Sequence, residues 1–568
     1  MNQKLEDSLE LALGVPAEER EKTEDLSTGY DEEQGEWELI VKYSGNIERL
    51  RSETVQIETL YGGYAIVRLP QSEIAFFANQ PEIEYIEQPK RLYFELYEGR
   101  YASCIPQVQN PPESLSGEGT IVAIVDSGVD YTHPDFRNED GTTRILKLWD
   151  QGIADGVFDS GQINEALAVT NTQERLRLIP SVDVSGHGTA VLGIAAGNGR
   201  ASNGENKGVA TKSNLIVVKM DTPDVRGFPR TTELLRGVDF CVRQAIEYGM
   251  PISINLSFGN NYGSHTGSSL VETYLNNVSQ IGRTTIVVAT GNEGGKRRHT
   301  QGKVDEDSGT LVEIAVGEAE RTLSLQIWKD YVDEYEIRLY APSGNNIVIS
   351  ETPGEIYQTR LDNTFLMWIF GVPTPYSIHQ EIYLEFVPDG NRQYIQSGIW
   401  KIILTPKRIV SGEYQMWLPA GEAIGEETGF LVSVPETTLT IPSTAGQVIS
   451  VGAYNARTES VATFSGWGPT ANHRQKPDIV APGVEILAPS KGGGYSIVSG
   501  TSMAAPFVTG SVSLLYEWGI VRGNDSYLYG EKAKAYLIRG ARHLPGFREW
   551  PNPQAGWGAL CVSASLPT

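Results

Sequence analysis

Nearly continuous apolar segments alternate with longer amphipathic segments over much of the chain. From Gly119 onward, TIVAIVD, NLIVVKM, ISINLSF and TTIVVAT are separated by segments such as TELLRGVDFCVRQAIEYG. Apolar strands of this kind are typical of a parallel sheet that helices cover on both faces, and the alternation is that of βαβ units. The pattern therefore predicts an α/β domain whose first part spans residues 102–295.

A second pattern, with apolar residues at every other position, occupies residues 296–435. LSLQI, YEIRL and IYLEF are examples, and turn sequences such as APSGNN and VPDGN separate them. A period of two indicates strands with one buried face. We predict about eight strands in an inserted β-sandwich of the jelly-roll type. The α/β pattern resumes at QVISVGAYN, so residues 436–568 form the second part of the same domain.

Two shorter segments precede the α/β domain. Residues 1–36 carry 12 acidic and 3 basic residues and predict a short helix over residues 5–13, followed by a solvated acidic arm. Residues 37–101 contain the strand-like segments WELIVKY, VQIETL and YAIVRLP, and the helix-like segment SEIAFFANQP precedes IEYIEQ. We therefore predict a small α+β domain over residues 37–101.

Composition and charge narrow the classes of function. The 568 residues are 40% hydrophobic and 21% charged, which is a globular composition. A net charge of −25 disfavours nucleic acid and anionic membranes as partners. Three cysteines are too few for a disulfide framework or a thiolate metal site and fit a reducing compartment best, although one bridge stays possible. The N-terminus lacks the features of a signal peptide, and no apolar run reaches the ~18 residues of a membrane span.

Three polar residues stand where buried elements end or begin. Asp126 ends TIVAIVD, His187 opens HGTAVLGIAAG, and Ser502 opens SMAAPFVTG. A serine is a weak nucleophile, so an imidazole must take its proton and a carboxylate must hold the imidazole. The side chain of Asn292 and the backbone N–H of Ser502 are candidate donors to the developing oxyanion. This set predicts acyl transfer by Asp126, His187 and Ser502.

The strings that carry these residues resemble the signatures of the subtilisin-like serine proteases. DSGVD, HGTA, TGN and GTSMAAP occur in the family's order, and the resemblance covers residues 102–295 and 436–560. It implies a three-layer α/β fold with a mostly parallel sheet, cleavage of protein substrates without a cofactor, and an inhibitory prodomain over residues 37–101. It also implies a substrate-binding wall that binds uncharged side chains and consists of Ser257, Phe258, Gly259, Ala289, Thr290 and Gly291.

A narrower resemblance rests on architecture. TRILKLWDQG between the Asp and His motifs, the inserted β-sandwich and the N-terminus look like the clostridial Csp germination proteases, which activate a cortex-lytic enzyme when spores germinate. The resemblance implies a cytoplasmic or spore-associated enzyme that cuts itself and keeps its prodomain bound non-covalently. We place the cut between Tyr101 and Ala102, where the prodomain gives way to a Pro- and Ser-rich linker. The alternative is a catalytically idle scaffold or signalling pseudoprotease. The presence of all four motif residues, Asp126, His187, Asn292 and Ser502, argues against it.

Other polar residues compete for a role. Asp183 and Asp130 are alternative carboxylates, but neither ends a buried strand. Asp135 in THPDF lies where the family often has a calcium ligand, but the matching loop AAGNGRASNGENKGVA departs from the usual calcium loop, so we predict no metal. The basic run KRR at residues 296–298 is expected to be solvated. Surface positions are also expected for His265, His299, His379, His473 and His543.

The insertion carries three tryptophans at strand positions. Exposed tryptophans would favour a carbohydrate-binding module, but tryptophans at alternating positions are usually core residues. We therefore expect Trp368, Trp400 and Trp417 to be buried, and we expect the insertion to stabilise the α/β domain instead of binding substrate.

Overall fold

In this computed structural model the described residues are 3–20, 22–32, 34–90, 93–94, 102–222, 228–305, 307–349 and 352–567. They form an N-terminal unit, an α/β unit and an all-β insertion. Among them, no helix combines the length and the apolar character that a membrane span requires.

An antiparallel sheet forms the centre of the N-terminal unit. Its elements are α1 (Asp7–Gly14), α2 (Ala17–Arg20), α3 (Glu24–Ser27), β1 (Tyr30–Asp31), β2 (Glu36–Tyr43), β3 (Gln56–Leu60), β4 (Tyr64–Pro70), α4 (Gln71–Ala78), β5 (Ile83–Glu87) and β6 (Tyr93–Phe94). Strand β2 pairs with β1, β4 and β5, and β3 pairs with β4. Strand β6 leaves this sheet and pairs elsewhere, as described below.

The N-terminal segment contains the predicted helix, but the acidic arm after it is packed instead of solvated. Val15 and Leu26 of the arm lie in the same buried cluster as the helix. Leu9 and Leu11 of α1 are fully buried in one cluster with Trp37 of β2 and with Met367 of the insertion. Buried residues on more than one side of α1 therefore attach the segment despite its charge. The segment bridges the N-terminal unit and the insertion.

The α/β unit consists of two parts of the chain. The first contains α5 (Ile105–Gln109), β7 (Ile121–Asp126), β8 (Ile145–Asp150), β9 (Val157–Asp159), α6 (Ser160–Ala168), α7 (Thr172–Leu178), α8 (His187–Ala196), β10 (Asn214–Lys219), α9 (Thr231–Tyr248), β11 (Ile252–Leu256), β12 (Phe258–Gly259), α10 (Leu270–Ser279) and β13 (Thr284–Ala289).

The insertion follows, and the α/β unit then resumes. The insertion contains β14 (His299–Lys303), β15 (Thr310–Val316), β16 (Leu323–Asp330), β17 (Glu334–Tyr340), β18 (Asn346–Ile349), β19 (Ile356–Leu361), β20 (Thr364–Phe370), β21 (His379–Pro388), β22 (Gly398–Arg408), β23 (Glu413–Trp417) and β24 (Gly429–Phe430). The second part of the α/β unit contains β25 (Ile449–Asn455), β26 (Ser460–Val461), β27 (Ile479–Pro482), β28 (Ile486–Pro489), β29 (Tyr495–Val498), α11 (Thr501–Tyr516), α12 (Gly530–Arg539) and α13 (Val562–Ser565).

The central sheet of the α/β unit has helices on both faces. Its order is β26-β25-β13-β11-β7-β10-β8-β9, with β27 beside β25, and β9 and β26 run antiparallel to their neighbours in an otherwise parallel sheet. Residues of β7 alternate between two buried clusters: Val122 packs with α8 and α11, and Ala123 packs with α9 and α10. This arrangement is the predicted three-layer α/β fold, although the sheet is mixed.

Two antiparallel sheets form the insertion. Within the described residues, their orders are β14-β23-β16-β21-β20-β19 and β18-β17-β22-β15-β24, which is more strands than the sequence predicts. Leu325 of the first sheet and Ile314 of the second belong to one buried cluster, so the two sheets share a core. The three tryptophans at strand positions are buried as expected, with exposed fractions of 4% for Trp368, 0% for Trp400 and 1% for Trp417.

A disulfide joins Cys104 to Cys561, and Cys241 is free and buried. The composition favoured unpaired thiols and left one bridge possible. The pairing depends on a contact between segments 457 residues apart in sequence. The spacing of the cysteines could not reveal that contact.

The insertion contacts the α/β unit through stacked rings, which corrects the prediction that His265 and His299 lie at the surface. His265 stacks on Trp417 at a centroid distance of 4.2 Å, and His299 lies against the same indole at 4.8 Å. Burial lowers the pKa of His265 to about 4 and the pKa of His299 to about 3. Both imidazoles are therefore neutral at neutral pH.

This contact predicts a loss of stability in acid. Both folded-state pKa values lie below the usual value near 6.5, so the unfolded chain takes up protons first as the pH falls. The free energy of unfolding should fall between pH 6.5 and about 4, by up to about 1.4 kcal/mol per pH unit for each histidine. Urea unfolding at several pH values tests this. A variant with both histidines replaced by glutamine should have a flatter profile, and replacing the exposed His473 should leave the profile unchanged.

Candidate active site

Asp126 and His187 form a buried pair at the carboxyl end of the central sheet. Asp126 is the last residue of β7, and His187 is the first residue of α8. Nδ1 of His187 lies 2.7 Å from Oδ1 of Asp126, and both side chains have an exposed fraction of 0%. An imidazole held this way carries its proton on Nδ1, so Nε2 is the atom that can accept a proton from a nucleophile.

The competing carboxylate Asp183 has a different position, in which it holds the start of α8. Its Oδ1 accepts from the backbone N–H of Gly186 at 2.8 Å, and its Oδ2 accepts from the backbone N–H of Thr189 at 2.9 Å. Ser127 joins the loop after β7 to the start of α8. Its hydroxyl donates to Asp183 at 2.9 Å and accepts from the backbone N–H of Gly188 at 2.9 Å. Asp183 therefore positions the helix that carries the histidine, a role that its place four residues before His187 could have indicated.

Asp130, the other competing carboxylate, lies outside the pair. Its Oδ1 accepts from the backbone N–H of Thr132 at 3.0 Å, and its Oδ2 accepts from that of Gly492 at 2.8 Å. It connects two loops of the α/β unit.

Ser502 lies in the first turn of α11, fully buried. Its hydroxyl donates to the carbonyl oxygen of Ser257 at 2.9 Å, and the Ser257 hydroxyl donates back to the carbonyl oxygen of Ser502 at 3.0 Å. The Ser257 hydroxyl is itself held by the side-chain amide of Asn255 at 2.7 Å. The start of α11 is thus held against Ser257, which follows β11 and begins one of the two predicted wall segments.

Asn292 is oriented by the residue that precedes Ser502. Its Oδ1 accepts from the backbone N–H of Thr501 at 3.1 Å and from the Thr501 hydroxyl at 3.2 Å. With the amide oxygen engaged in this way, the NH₂ group is the end of the side chain that can serve as a donor.

The two segments of the predicted substrate-binding wall meet at a residue that the sequence did not indicate. A Cβ added at Gly259 or at Gly291 would collide with the side chain of Thr440. The backbone N–H of Thr440 donates to the carbonyl oxygen of Thr290 at 2.9 Å, and the Thr440 hydroxyl is buried without a hydrogen-bond partner among the described residues. Thr440 lies between the two segments, whereas Phe258 is buried in the core. The other buried wall residues are Ser257, Ala289 and Thr290.

The tail of the N-terminal unit reaches this wall. Strand β6 pairs antiparallel with β12, with Phe94 opposite Phe258 and Tyr93 opposite Gly259. Ala102 follows the predicted cut, and its carbonyl oxygen accepts a hydrogen bond from the hydroxyl of Tyr454 at 3.4 Å. Tyr101, the other residue of the predicted cleavage site, lies outside the described residues.

Both carboxylate oxygens of Asp135 accept hydrogen bonds from within the protein. Its Oδ1 accepts from the backbone N–H of Ala201 at 2.8 Å, and its Oδ2 accepts from the hydroxyl of Tyr495 at 2.7 Å. Donor hydrogens thus face both oxygens. In the part of the chain that the structure describes, no group of three or more His, Cys, Asp or Glu side chains converges on a common point.

Sequence profiles of two known families match the chain. One is described as the subtilase family and matches residues 117–367 and 423–558, and the other is described as the Csp protease B prodomain and matches residues 3–90. The structure is similar to that of the CspB protease of Clostridium perfringens, with 36% identity and a TM-score of 0.76, over 82% of this chain and 95% of that chain.

Curated relatives are longer. The PI-type proteinase of Lactococcus lactis subsp. cremoris is 24% identical over 469 residues, which cover 74% of this chain and 24% of the relative. The C5a peptidase of Streptococcus pyogenes is 24% identical over 428 residues, which cover 70% of this chain and 35% of the relative. The chain therefore spans about a quarter to a third of the length of these relatives.

The three-layer fold, the buried Asp126–His187 pair and the serine in the first turn of α11 place the protein in the subtilisin-like class. The chain belongs to the subtilase family, and it carries a prodomain of the CspB type.

Proposed function

We propose that this chain is a serine endopeptidase that cuts its own prodomain and then cleaves protein substrates. Asp126, His187 and Ser502 carry the reaction, and Asn292 stabilises the oxyanion. The observation that supports this most is the 2.7 Å hydrogen bond between His187 and Asp126, with both side chains fully buried.

The reaction begins with a rotation of the Ser502 side chain. In the resting structure the hydroxyl donates to the Ser257 carbonyl, so it must turn toward Nε2 of His187 before it attacks. His187 takes the proton as Oγ of Ser502 bonds to the scissile carbonyl carbon, and it then gives that proton to the leaving amine. Asp126 keeps the Nδ1 proton in place and stabilises the imidazolium. Asn292 Nδ2 and the Ser502 backbone N–H donate to the oxyanion.

Fluorophosphonate labelling tests the assignment. Modification of Ser502 at one equivalent per chain supports an enzyme. Folded protein that takes up no label would favour the idle scaffold instead.

Asn292→Ala should slow ester hydrolysis by about 10² to 10³, because one oxyanion donor is lost. The reduction should appear in kcat with KM little changed, since the donor acts on charge that develops in the transition state. Substitution of the exposed Asn138, on a loop of the α/β unit, serves as the control. Wild-type kcat in Asn292→Ala would remove this residue from the site.

The contacts of the prodomain support its retention after cleavage. The Glu87 carboxylate accepts from the backbone N–H of Leu270, the first residue of α10, at 2.7 Å, and the Lys90 carbonyl accepts from that of Thr231, the first residue of α9, at 2.6 Å. Capping both helix starts satisfies backbone donors that would otherwise need water.

Although burial alone would raise the pKa of Glu38, nearby arginines from both units hold this pKa well below its usual range. We expect the cut prodomain to copurify with the enzyme.

N-terminal sequencing of the larger fragment locates the cut. A start at Ala102 or Ser103 fits cleavage after Tyr101, the position that the linker composition favours. The pairing of Phe94 with Phe258 supports a second position closer to Phe94, because Phe258 directly follows Ser257, whose carbonyl contacts Ser502. A start close to residue 96 would favour this second position.

We also propose a physiological setting. The similarity to the CspB protease supports a cytoplasmic or spore-associated enzyme that activates a cortex-lytic zymogen during germination. We further propose jelly-roll topology for the insertion, and the two antiparallel sheets that share one core support it. Incubation with purified cortex-hydrolase zymogens tests the substrate class. Activation by wild-type enzyme but not by Ser502→Ala would support the proposal, and intact zymogens in the presence of fully labelled enzyme would contradict it.

A further inference from the structure

The basic run KRR is a clamp, not a solvated loop. Arg298 has an exposed fraction of 1% and donates to the backbone carbonyl of Gly425 at 3.1 Å. Arg297 donates to the carbonyl of Glu426 at 3.0 Å. These bonds hold residues 418–428, a loop of the insertion that we call the anchor loop, against the start of the insertion.

The α/β unit also binds the anchor loop. The backbone N–H of Gly421 donates to the carboxylate of Glu293, which is buried, at 3.2 Å from each of its oxygens. The carbonyl oxygen of Leu418 accepts from the side-chain amide of Asn261 at 3.1 Å. Because Glu293 and Asn261 both precede the insertion, the loop is held from outside the insertion as well as from within it.

Glu293 lies in a segment whose backbone conformation the sequence leaves open. Residues 291–295 read GNEGG, and Gly291 has a φ of +87°. Glycine adopts many backbone conformations at little steric cost, so a segment with three glycines takes its course from the contacts that it makes. The position of Asn292, the candidate oxyanion donor, therefore depends on the neighbours of this segment.

Contacts hold the segment near both ends and in its middle. The carbonyl oxygen of Gly291 accepts from the backbone N–H of Gly466 at 2.8 Å, and the backbone N–H of Gly294 donates to the carbonyl oxygen of Phe464 at 3.0 Å. Both partners lie in the loop after β26. The Glu293 carboxylate adds the bond to the anchor loop between these two points. The insertion thus supplies a contact next to the candidate oxyanion donor.

We propose that Glu293 is a positioning residue, through which the anchor loop holds Asn292 in the geometry that oxyanion binding requires. An oxyanion donor is effective only when it lies about 3 Å from the position of the developing charge. Since Glu293 is buried and bonded to Gly421, its effect passes through the backbone and not through contact with substrate. The inference rests on the proposed endopeptidase activity, and it gives the insertion a part in catalysis in addition to stabilisation.

Two substitutions at Glu293 separate the hydrogen bond from the space that the side chain fills. Glu293→Leu offers no acceptor to the Gly421 N–H, so kcat for a peptide p-nitrophenyl ester should fall by about ten- to a hundred-fold with KM little changed. Glu293→Gln retains an acceptor oxygen and should restore most of the wild-type kcat. Wild-type kcat in Glu293→Leu, or equal losses in the two variants, would overturn the proposal.

A double-mutant cycle tests whether Glu293 acts through Asn292. In an Asn292→Ala background, Glu293→Leu should lower kcat by less than about twofold, since no donor is left to be misplaced. A loss as large as in the wild-type background would contradict the positioning role. Wild-type kcat in Asn292→Ala alone, or a wild-type enzyme that takes up no fluorophosphonate, would instead overturn the proposed function on which the inference rests.

The matched control is Glu320→Leu. Glu320 is a buried residue of the insertion, and its carboxylate accepts from the backbone N–H of Gly425 in the anchor loop at 3.2 and 3.1 Å. This variant removes the same kind of bond from the same loop but leaves the oxyanion segment, residues 291–295, untouched. Its thermal unfolding midpoint should fall while kcat stays at the wild-type level. An equal loss of kcat would show that any loosening of the loop slows the enzyme, and the specific role of Glu293 would be wrong.

All rates are measured on chains that mass spectrometry shows to be fully processed, at a temperature where unfolding curves show each variant to be folded. If Glu293→Leu does not fold, Glu293→Asp replaces it, because the shorter side chain withdraws the acceptor by one methylene group. Glu293→Asp should then show the loss of kcat, and wild-type kcat in that variant would overturn the proposal.

Discussion

Ser502→Ala should fold and accumulate as the full-length chain without any fluorophosphonate label. The hydroxyl is the predicted nucleophile, so neither self-cleavage nor labelling can proceed without it. Among the described residues the side chain makes one hydrogen bond, to the Ser257 carbonyl, so removal of the small hydroxyl should leave the fold intact. Intact-mass spectrometry and a thermal unfolding curve measure both outcomes.

The control for this variant is Ser511→Ala on the same helix. The Ser511 hydroxyl donates to the carbonyl of Phe507 at 2.6 Å within α11 and is remote in sequence from the reacting atoms. This variant should process and label like wild type. Normal processing of Ser502→Ala would instead mean that another protease makes the cut.

Asp126→Asn should reduce kcat by about 10⁴ with little change in stability. The amide has nearly the same shape as the carboxylate, but its NH₂ end can donate to Nδ1 of His187, which moves the ring proton to Nε2. The imidazole then cannot take the proton of Ser502. Burst kinetics with a p-nitrophenyl ester separate slowed acylation from slowed deacylation.

The matched substitution for this experiment is Asp130→Asn. Asp130 lies four residues along the same loop and accepts backbone hydrogen bonds from Thr132 and Gly492. Its loss should change kcat far less than the loss of Asp126. A decrease of less than about tenfold in Asp126→Asn would argue against the role of Asp126 in holding the histidine tautomer.

The element boundaries at which the candidate catalytic residues lie could be predicted, because the local sequence determines them. Asp126 ends a buried strand, and His187 and Ser502 open helices, so each stands at an element boundary that the hydrophobic pattern marks. Helices on both faces of the sheet follow from the same pattern.

Features that depend on contacts between distant segments could not be predicted. Thr440 follows the insertion in the sequence and contacts the two wall segments only in the folded chain. Nothing in its local sequence marks it as a residue of the substrate-binding wall. The KRR run has the composition of a solvated loop, yet Arg298 is buried because backbone carbonyls of another loop surround it. Charge content likewise concealed the packing of the arm after α1, in which Val15 and Leu26 are buried.

The bond between Cys104 and Cys561 brings the two ends of the α/β unit together, with their Cα atoms 4.8 Å apart. The backbone N–H of Val562 also donates to the carbonyl of Ser103 at 3.0 Å. Neighbouring ends are the condition for circular permutation. A short peptide linker could replace the disulfide, and new ends could be opened at the exposed glycine-rich tip between β28 and β29. The prodomain could then be supplied as a separate polypeptide, so that its assistance to folding is measured apart from its attachment.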